Sequence, residues 1–310
     1  MKRKILIFGG AGLVGSSLTR LLKKEDADFE IISLTRKDAD LFSLDETKDV
    51  ISKFKPDYIV NAAAKVGGIV ANNTQRTEFI LENLKININI LESIIEYPEI
   101  NLINLGSSCI YPLDAENPIN ENSLMSGKLE PTNSPYAMAK LTAIEMGDAL
   151  SQQYGHNVTN LMPTNLYGPN DNFSPVNSHV IPGLIYRMDQ AKRNNQENFY
   201  VWGTGNPKRE FLHVDDLSSA IFFIIQNNIV DSLINIGSSS EVSISELSNI
   251  IKKTIDYKGK IIFDKTKPDG NPQKLLDSSK IYNLGWKPKI NLTEGIETTY
   301  DWFLKNTVAE

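Results

Sequence analysis

Cysteine, histidine and long apolar runs are what this sequence has least of, and each scarcity removes a class of function. A single cysteine, Cys109, in 310 residues leaves no intramolecular disulfide to form, so a reducing compartment, the cytoplasm, is the expected setting. The three histidines, His156, His179 and His213, form no metal-ligand cluster, and no metal site is expected. No apolar run approaches a membrane span, and residues 5–8, behind the basic Lys2, Arg3 and Lys4, meet glycine too early to form the core of a signal peptide. A net charge of −6 argues against non-specific binding to nucleic acid, which leaves a small molecule as the expected partner. The length accommodates one large α/β unit or two domains sharing a cleft.

What is present is punctuated by glycine. A β-branched run at 4–8 enters Gly9-Gly10-Ala11-Gly12-Leu13-Val14-Gly15, and an amphipathic helix is predicted from about residue 16 to 24. Strand, glycine turn and helix in that order make a dinucleotide fingerprint: without side chains at Gly9, Gly12 and Gly15, the backbone and the helix N-terminus can approach a pyrophosphate. A second strand, at 30–34, ends at Thr35-Arg36-Lys37, which is basic where an NAD-specific protein carries an acid for the ribose 2′-OH. Arg36 suits a 2′-phosphate and so favours NADPH over NADH. Asp40 and Leu41 follow, at the expected border of the adenine.

A third strand at 55–61 runs into the small residues 62–68, and a long helix at 77–96 is predicted to pack on the sheet. The strand at 101–105 then delivers Leu105-Gly106-Ser107-Ser108-Cys109-Ile110-Tyr111. In an open parallel sheet the ligand lies beyond such strand ends. Ser107 is then placed to hydrogen-bond a substrate carbonyl and Cys109 to act as an acid or base, against the plainer option of a polar turn and a buried thiol. After a surface loop at 113–132, a helix reaching about residue 154 carries Tyr136 and Lys140 four residues apart, on one face. A strand at 157–162 leads to Pro163-Thr164-Asn165-Leu166, and a polar loop at 171–179 brings His179 to the start of a helix at 180–193. His179 is there either a partner for Cys109 or a helix cap. Beyond a strand at 198–202, Arg209 is a candidate grip for a diphosphate or a base edge, with a salt bridge as the alternative. Asp215 and Asp216 read as structural, opening a helix at 217–226. A short strand at 233–236, a helix at 243–255, a strand at 260–263 and a helix at 292–304 complete the pattern.

The glycine fingerprint, Ser107 and Tyr136-x-x-x-Lys140 together resemble the extended short-chain dehydrogenase/reductase family. The longer stretches 62–74 (AAAKVGGIVANNT), 106–112 (GSSCIYP), 129–137 (LEPTNSPYA), 162–169 (MPTNLYGP), 177–182 (NSHVIP) and 209–216 (REFLHVDD) are similar to its GDP-L-fucose synthase branch. The resemblance implies an α/β fold: a Rossmann-type doubly wound parallel sheet over 1–167 with a returning strand near 233–236, and a smaller α/β substrate domain over 168–310. It implies a homodimer built from the helices around 77–96 and 136–154. The implied cofactor is NADPH, held by residues 9–15, Arg36, Leu41, Leu105, Gly106, Ser107, Ser108, Lys140, Pro163, Thr164, Asn165, Leu166 and His179. The implied substrate is a GDP-4-keto-6-deoxy sugar, bound by Asn165, Arg187, Trp202, Arg209 and Asp269. Ala11 is a departure, since some relatives carry an arginine there for the 2′-phosphate, and Arg36 must do more of that work.

The chemistry implied is epimerisation at C3 and C5 followed by reduction at C4, because a C4 ketone acidifies the hydrogens on both neighbouring carbons. Cys109, drawn toward thiolate by cationic surroundings, is the expected base and His179 the expected acid. Tyr136 is the expected proton donor to the C4 oxygen, with its pKa lowered by Lys140, and Ser107 orients the carbonyl. The rival assignments are a C4 reductase of a related GDP-4-keto sugar, such as a 6-deoxy-heptose, and a dinucleotide-sensing protein without turnover.

Overall fold

The computed structural model describes residues 2–25, 29–175, 177–267 and 269–307, so Val176 of the loop before His179 lies outside the described residues. The first half alternates strand and helix: β1 (Arg3–Phe8), α1 (Leu13–Glu25), β2 (Phe29–Leu34), α2 (Leu44–Phe54), β3 (Tyr58–Asn61), α3 (Ile69–Thr74), α4 (Arg76–Ser93), β4 (Asn101–Leu105), α5 (Ser134–Tyr154) and β5 (Val158–Pro163). Then come β6 (Asn165–Tyr167), α6 (Val180–Arg193), β7 (Asn198–Trp202), β8 (Lys208–His213), α7 (Val214–Gln226), β9 (Leu233–Ile236), β10 (Glu241–Ser243), α8 (Ile244–Ile255), β11 (Lys260–Asp264), α9 (Ser279–Leu284) and α10 (Leu292–Asn306).

Six parallel strands in the order β2-β1-β3-β4-β5-β9 form the main sheet. Its central strands are mostly apolar because helices cover both faces, with Asn61, Asn104 and Asn160 the polar exceptions. Leu18 and Leu22 of α1 meet Leu217, Ile221 and Ile224 of α7 on one side, while Ile51, Ile86, Ile90 and Leu150 from α2, α4 and α5 cover the other. Strand order reverses between β1 and β3, and the crevice beyond that switch point is where a doubly wound sheet binds its ligand. The remaining strands form a three-stranded sheet, β10-β8-β6, and a parallel pair, β11-β7, around a second core shared with α6, α8 and α10. Among the described residues no helix is long and apolar enough to cross a membrane.

A polar ladder crosses the main sheet at the level where the strands approach the crevice. Asn61, Asn104 and Asn160 are paired in register on β3, β4 and β5, all buried. Asn61 Nδ2 donates to Asn104 Oδ1 (3.0 Å) and to Asn87 Oδ1 (3.1 Å), Asn104 Nδ2 donates to Asn160 Oδ1 (3.2 Å), and Asn160 Nδ2 ends the chain on Ser232 O (2.9 Å). Each bond is worth roughly 1 kcal/mol net, yet a buried amide left unpaired costs more than that, so the ladder ties neighbouring strands to one register.

Two helix boundaries differ from expectation. α1 begins at Leu13 rather than near residue 16, because Gly12 O already accepts Ser16 N and the helix starts inside the glycine turn. The long helix expected at 77–96 is α4, which ends at Ser93, and it is preceded by a short helix the sequence did not suggest, α3, set off from it at Gln75, whose backbone (φ −117°, ψ 43°) leaves the helical region.

Candidate active site

The crevice at the switch point is lined by backbone. A Cβ on Gly9 (φ +79°) would lie 2.7 Å from the carbonyl carbon of Ala62, which follows β3, and one on Gly15 would lie 2.2 Å from Gly9 O. One on Gly10 would strike Ser33 Oγ at 2.1 Å. Only glycine fits these positions, and α1 carries no acidic side chain in its first turn to compete with an anion. The cradle therefore fits a dinucleotide pyrophosphate. At the end of β2, the Arg36 guanidinium carbon stands 6.0 Å from the Phe42 ring centre and Lys85 Nζ 5.8 Å from the same ring, which makes this end of the crevice cationic as a 2′-phosphate requires. Leu41 is fixed beside them by Asn89 Nδ2, which donates to its carbonyl at 2.8 Å.

Beyond β4, Ser107 caps a single 3-10 turn, Ser108–Ile110, by accepting Cys109 N on its Oγ (3.3 Å), so hydroxyl and thiol sit on one short loop. A Cβ on Gly106 would meet Met162 Sδ at 2.3 Å, which keeps that loop close over β5. α5 passes the same strand end. Lys140, 2 % exposed, donates to Leu105 O at 2.7 Å, and its Nζ lies 5.8 Å from the centre of the Tyr136 ring. Tyr136 is also steadied by Phe79 of α4, centroids 6.3 Å apart and nearly perpendicular. Burial raises the Cys109 thiol above its ordinary pKa, and Lys274, the Ser107 hydroxyl and Lys140 offset this only in part. Burial and then Cys109 hold the Tyr136 phenol above its ordinary value, and burial brings Lys140 down to about 8 against the opposing pull of Cys109.

His179 stands at the N-cap position of α6, but its side chain makes no capping bond. Burial lowers its imidazole and the Gly67 carbonyl pulls the other way. The segment before it is wedged: Gly68 N donates to Asn177 O (3.1 Å), and Asn72 Nδ2 holds the Gly67 and Gly68 carbonyls at 2.7 and 3.1 Å. Farther along, Asn165 Nδ2 donates to Glu210 O at 2.8 Å, as Thr164 Oγ1 does at 3.2 Å, while Pro163 closes β5 and Leu166 pairs with Leu212. Arg187, its guanidinium 5.4 Å from the Phe199 ring centre, and Arg209 are both drawn down by burial. Among the described residues Arg209 has no carboxylate partner; it donates to Lys208 O (2.7 Å). Trp202 ends β7 with 62 % of its surface exposed, a flat face open for stacking. Asp269 accepts Thr204 N (2.8 Å) and Thr204 Oγ1 (2.7 Å), which closes the turn after Trp202.

Residues 5–237 match the NAD dependent epimerase/dehydratase family. GDP-L-fucose synthase 1 of Arabidopsis thaliana is 48 % identical over 303 residues, covering 98 % of this chain and 94 % of its own. The chain belongs to this family, in its GDP-L-fucose synthase branch. Among solved structures, a GDP-L-fucose synthetase from Naegleria fowleri bound to NADP superimposes with a TM-score of 0.90 at 30 % identity, over 100 % of this chain and 96 % of that one. A GDP-6-OMe-4-keto-L-xylo-heptose reductase from C. jejuni gives 0.91 at 29 % identity, over 99 % of both chains.

Against the expectations for this epimerase branch, two electrostatic details are corrected and one alternative is removed. The protein by itself holds Cys109 as a thiol, not a thiolate, because burial outweighs its cations. Lys140 does not lower the Tyr136 phenol, since its ammonium is turned to the Leu105 carbonyl and burial dominates at the phenol. His179 is not a capping side chain. Three groups at the site escaped notice in the sequence: Lys274, which acts on Cys109; Glu130, whose carboxylate takes Thr132 N, Thr132 Oγ1 and Asn133 N; and the buried Glu210 beside Arg209. The Glu130-x-Thr132 spacing was the one local signal available, an acid placed before helix α5.

Proposed function

We propose that this chain converts GDP-4-keto-6-deoxy-D-mannose to GDP-L-fucose, an NADPH-dependent epimerisation at C3 and C5 followed by reduction at C4. The observation that carries the proposal is the gathering of Ser107, Cys109, Tyr136 and Lys140 at the end of β4, next to a backbone cradle that excludes side chains. Bound NADPH supplies the hydride for C4. The protein does the rest. Residues 9–15 and Arg36 hold the cofactor, with Leu41, Leu105, Gly106, Ser108 and 163–166 along its length; Arg187, Trp202, Arg209, Asn165 and Asp269 serve the GDP-sugar. On this division 1–167 bind the cofactor and 168–310 mainly the sugar nucleotide.

In the epimerisation Cys109 sulfur takes the proton from C3, the electron pair passes into the C4 carbonyl as an enolate, and His179 returns a proton to the opposite face; the same exchange serves C5. Ser107 holds the C4 oxygen. When hydride reaches C4, the Tyr136 hydroxyl gives its proton to that oxygen, and Lys140 serves the nicotinamide ribose. The raised thiol fits this order if its resting proton passes to the neutral His179 imidazole as the sugar fills the cleft, which makes Cys109 the thiolate base and His179 the imidazolium acid, and each exchange returns both to the resting state. We further propose a homodimer through α4 and α5, supported by the exposed Leu81 and Met138, and a cytoplasmic location, supported by the lone free thiol.

Reduction of a GDP-4-keto-heptose is the second reading, favoured by the likeness to the heptose reductase. One incubation separates them: the protein, NADPH and freshly made GDP-4-keto-6-deoxy-D-mannose in deuterated water, with the product read by NMR. GDP-L-fucose carrying deuterium at C3 and C5 supports both activities, reduced but unlabelled sugar leaves a C4 reductase, and no turnover directs attention to the heptoses. Tyr136→Phe is expected to keep the deuterium exchange while NADPH oxidation falls about a hundredfold or more; full oxidation would remove Tyr136 from its role.

A further inference from the structure

One buried side chain holds the turn between β3 and α3. Asn72, 5 % exposed, donates from Nδ2 to Gly67 O (2.7 Å) and to Gly68 O (3.1 Å), while its backbone N–H donates to Gly68 O at 3.0 Å. The amide stands only this way round, since turning it over would set its oxygen against two carbonyl oxygens. Its Oδ1 is buried and, among the described residues, has no hydrogen-bond partner. An unpaired buried acceptor and a low helix propensity are both unfavourable, so a helix that needed only to form would not carry asparagine here. The two donors are what the position keeps.

What they hold is the seat of the segment that ends at His179. On one side the turn is closed by α3 and α4: a Cβ on Gly67 would lie 3.0 Å from Ala71 Cβ and 3.3 Å from Phe79 Cζ. On the other, Gly68 N donates to Asn177 O (3.1 Å), and Gly68 stands so near the following residue that a Cβ on it would lie 2.5 Å from Ser178 O. The next residue is His179, whose carbonyl accepts Gly183 N (3.0 Å) as α6 opens. Asn72 thus reaches His179 through backbone that touches at every step. The Gly67 carbonyl also favours the charged form of the imidazole. A carbonyl can only accept, so the ring nitrogen that meets it keeps its hydrogen, and the other nitrogen is the one left to take and return a proton. Among the described residues no hydrogen bond of Asn72 reaches Ser107, Tyr136 or Lys140.

We propose that Asn72 is a positioning residue of the epimerisation, whose amide sets where His179 stands by fixing the Gly67 and Gly68 carbonyls. This rests on the assignment of His179 as the acid. The reduction, which takes its proton from Tyr136, does not depend on that placement.

The test separates the two reactions in the full chain. Deuterium uptake at C3 and C5 of GDP-4-keto-6-deoxy-D-mannose is read by NMR, and reduction of the already epimerised keto-sugar by NADPH absorbance. Asn72→Ala is expected to lower the uptake about a hundredfold while reduction stays within about threefold of wild type. In a His179→Gln background the same substitution should lower uptake by less than about twofold more, because it acts only through that imidazole. Equal losses in both reactions, or the whole loss repeated on top of His179→Gln, would make Asn72 merely structural and overturn the proposal. Uptake in Asn72→Ala within about twofold of wild type would overturn it as well. Undiminished uptake in His179→Gln alone removes His179 as the acid and the proposal with it, a failure distinguished by needing no change at Asn72. Circular dichroism checks folding, and Asn72→Ser, which keeps one donor at most, takes the place of the alanine variant if that one fails to fold.

Discussion

Replacing Gly68 by alanine probes how closely the epimerisation depends on the placement of His179. Gly68 has φ −68°, a value any residue adopts, so no backbone strain enters and the whole effect is one methyl group. That methyl would lie 2.5 Å from Ser178 O, where ordinary contact begins at 3.4 Å, so the neighbour must retreat by about 0.9 Å. Ser178 Oγ in turn sits over Gly183 of α6, 2.6 Å from where a Cβ would stand there, so Ser178 is seated closely on that helix. A displacement of Ser178 passes into His179, the next residue. A misplacement near 1 Å in a reacting group costs up to about a hundredfold in rate. Deuterium uptake at C3 and C5 is expected to fall by about that factor in Gly68→Ala, while reduction of the already epimerised keto-sugar loses far less. Exchange within about twofold of wild type would refute the reasoning.

Arg36→Ala is expected to raise KM for NADPH about tenfold or more and leave KM for NADH unchanged, measured by initial rates with each cofactor. Asp171 carries a buried, unpartnered Oδ2, and burial pushes its carboxyl up to about 7 from an ordinary 3.8. The folded state therefore binds the extra proton between those values, stability falls as pH rises through them, and the whole penalty stands above pH 7. Thermal melts of Asp171→Asn should lie above wild type at pH 8 and converge on it toward pH 4; a constant difference would contradict the assignment. Asn104→Leu strips the donor from Asn160 Oδ1 and the acceptor from Asn61 Nδ2, and urea unfolding should show a loss of about 2–4 kcal/mol.

The strands of the main sheet were legible because burial on both faces writes them as mostly apolar runs, several closed by glycine, as at Phe8-Gly9 and Leu105-Gly106. Tyr136 and Lys140 were legible because four residues on a helix is a fixed geometry. The short helix α3 was hidden, since six residues are too few to show a helical period. Lys274 was hidden for a stronger reason: its charge acts on Cys109 from 165 positions along the chain, in a segment with no period to read. The protonation of Cys109 was misjudged on the same account, because nearby cations can be counted in a chain while the depth of burial belongs to the finished fold.

The place of β9 in the main sheet has a consequence for how the chain is made. β5 ends at Pro163, and the strand that covers its outer edge does not begin until Leu233. On the ribosome that edge is unpaired while about 70 further residues are added, several seconds at roughly 5–20 residues per second. Throughout that interval the nascent sheet offers an apolar template to any passing strand. Release from the ribosome before residue 236 would leave it so permanently, which makes premature termination in α6 through α7 more hazardous to the cell than the loss of the last helix.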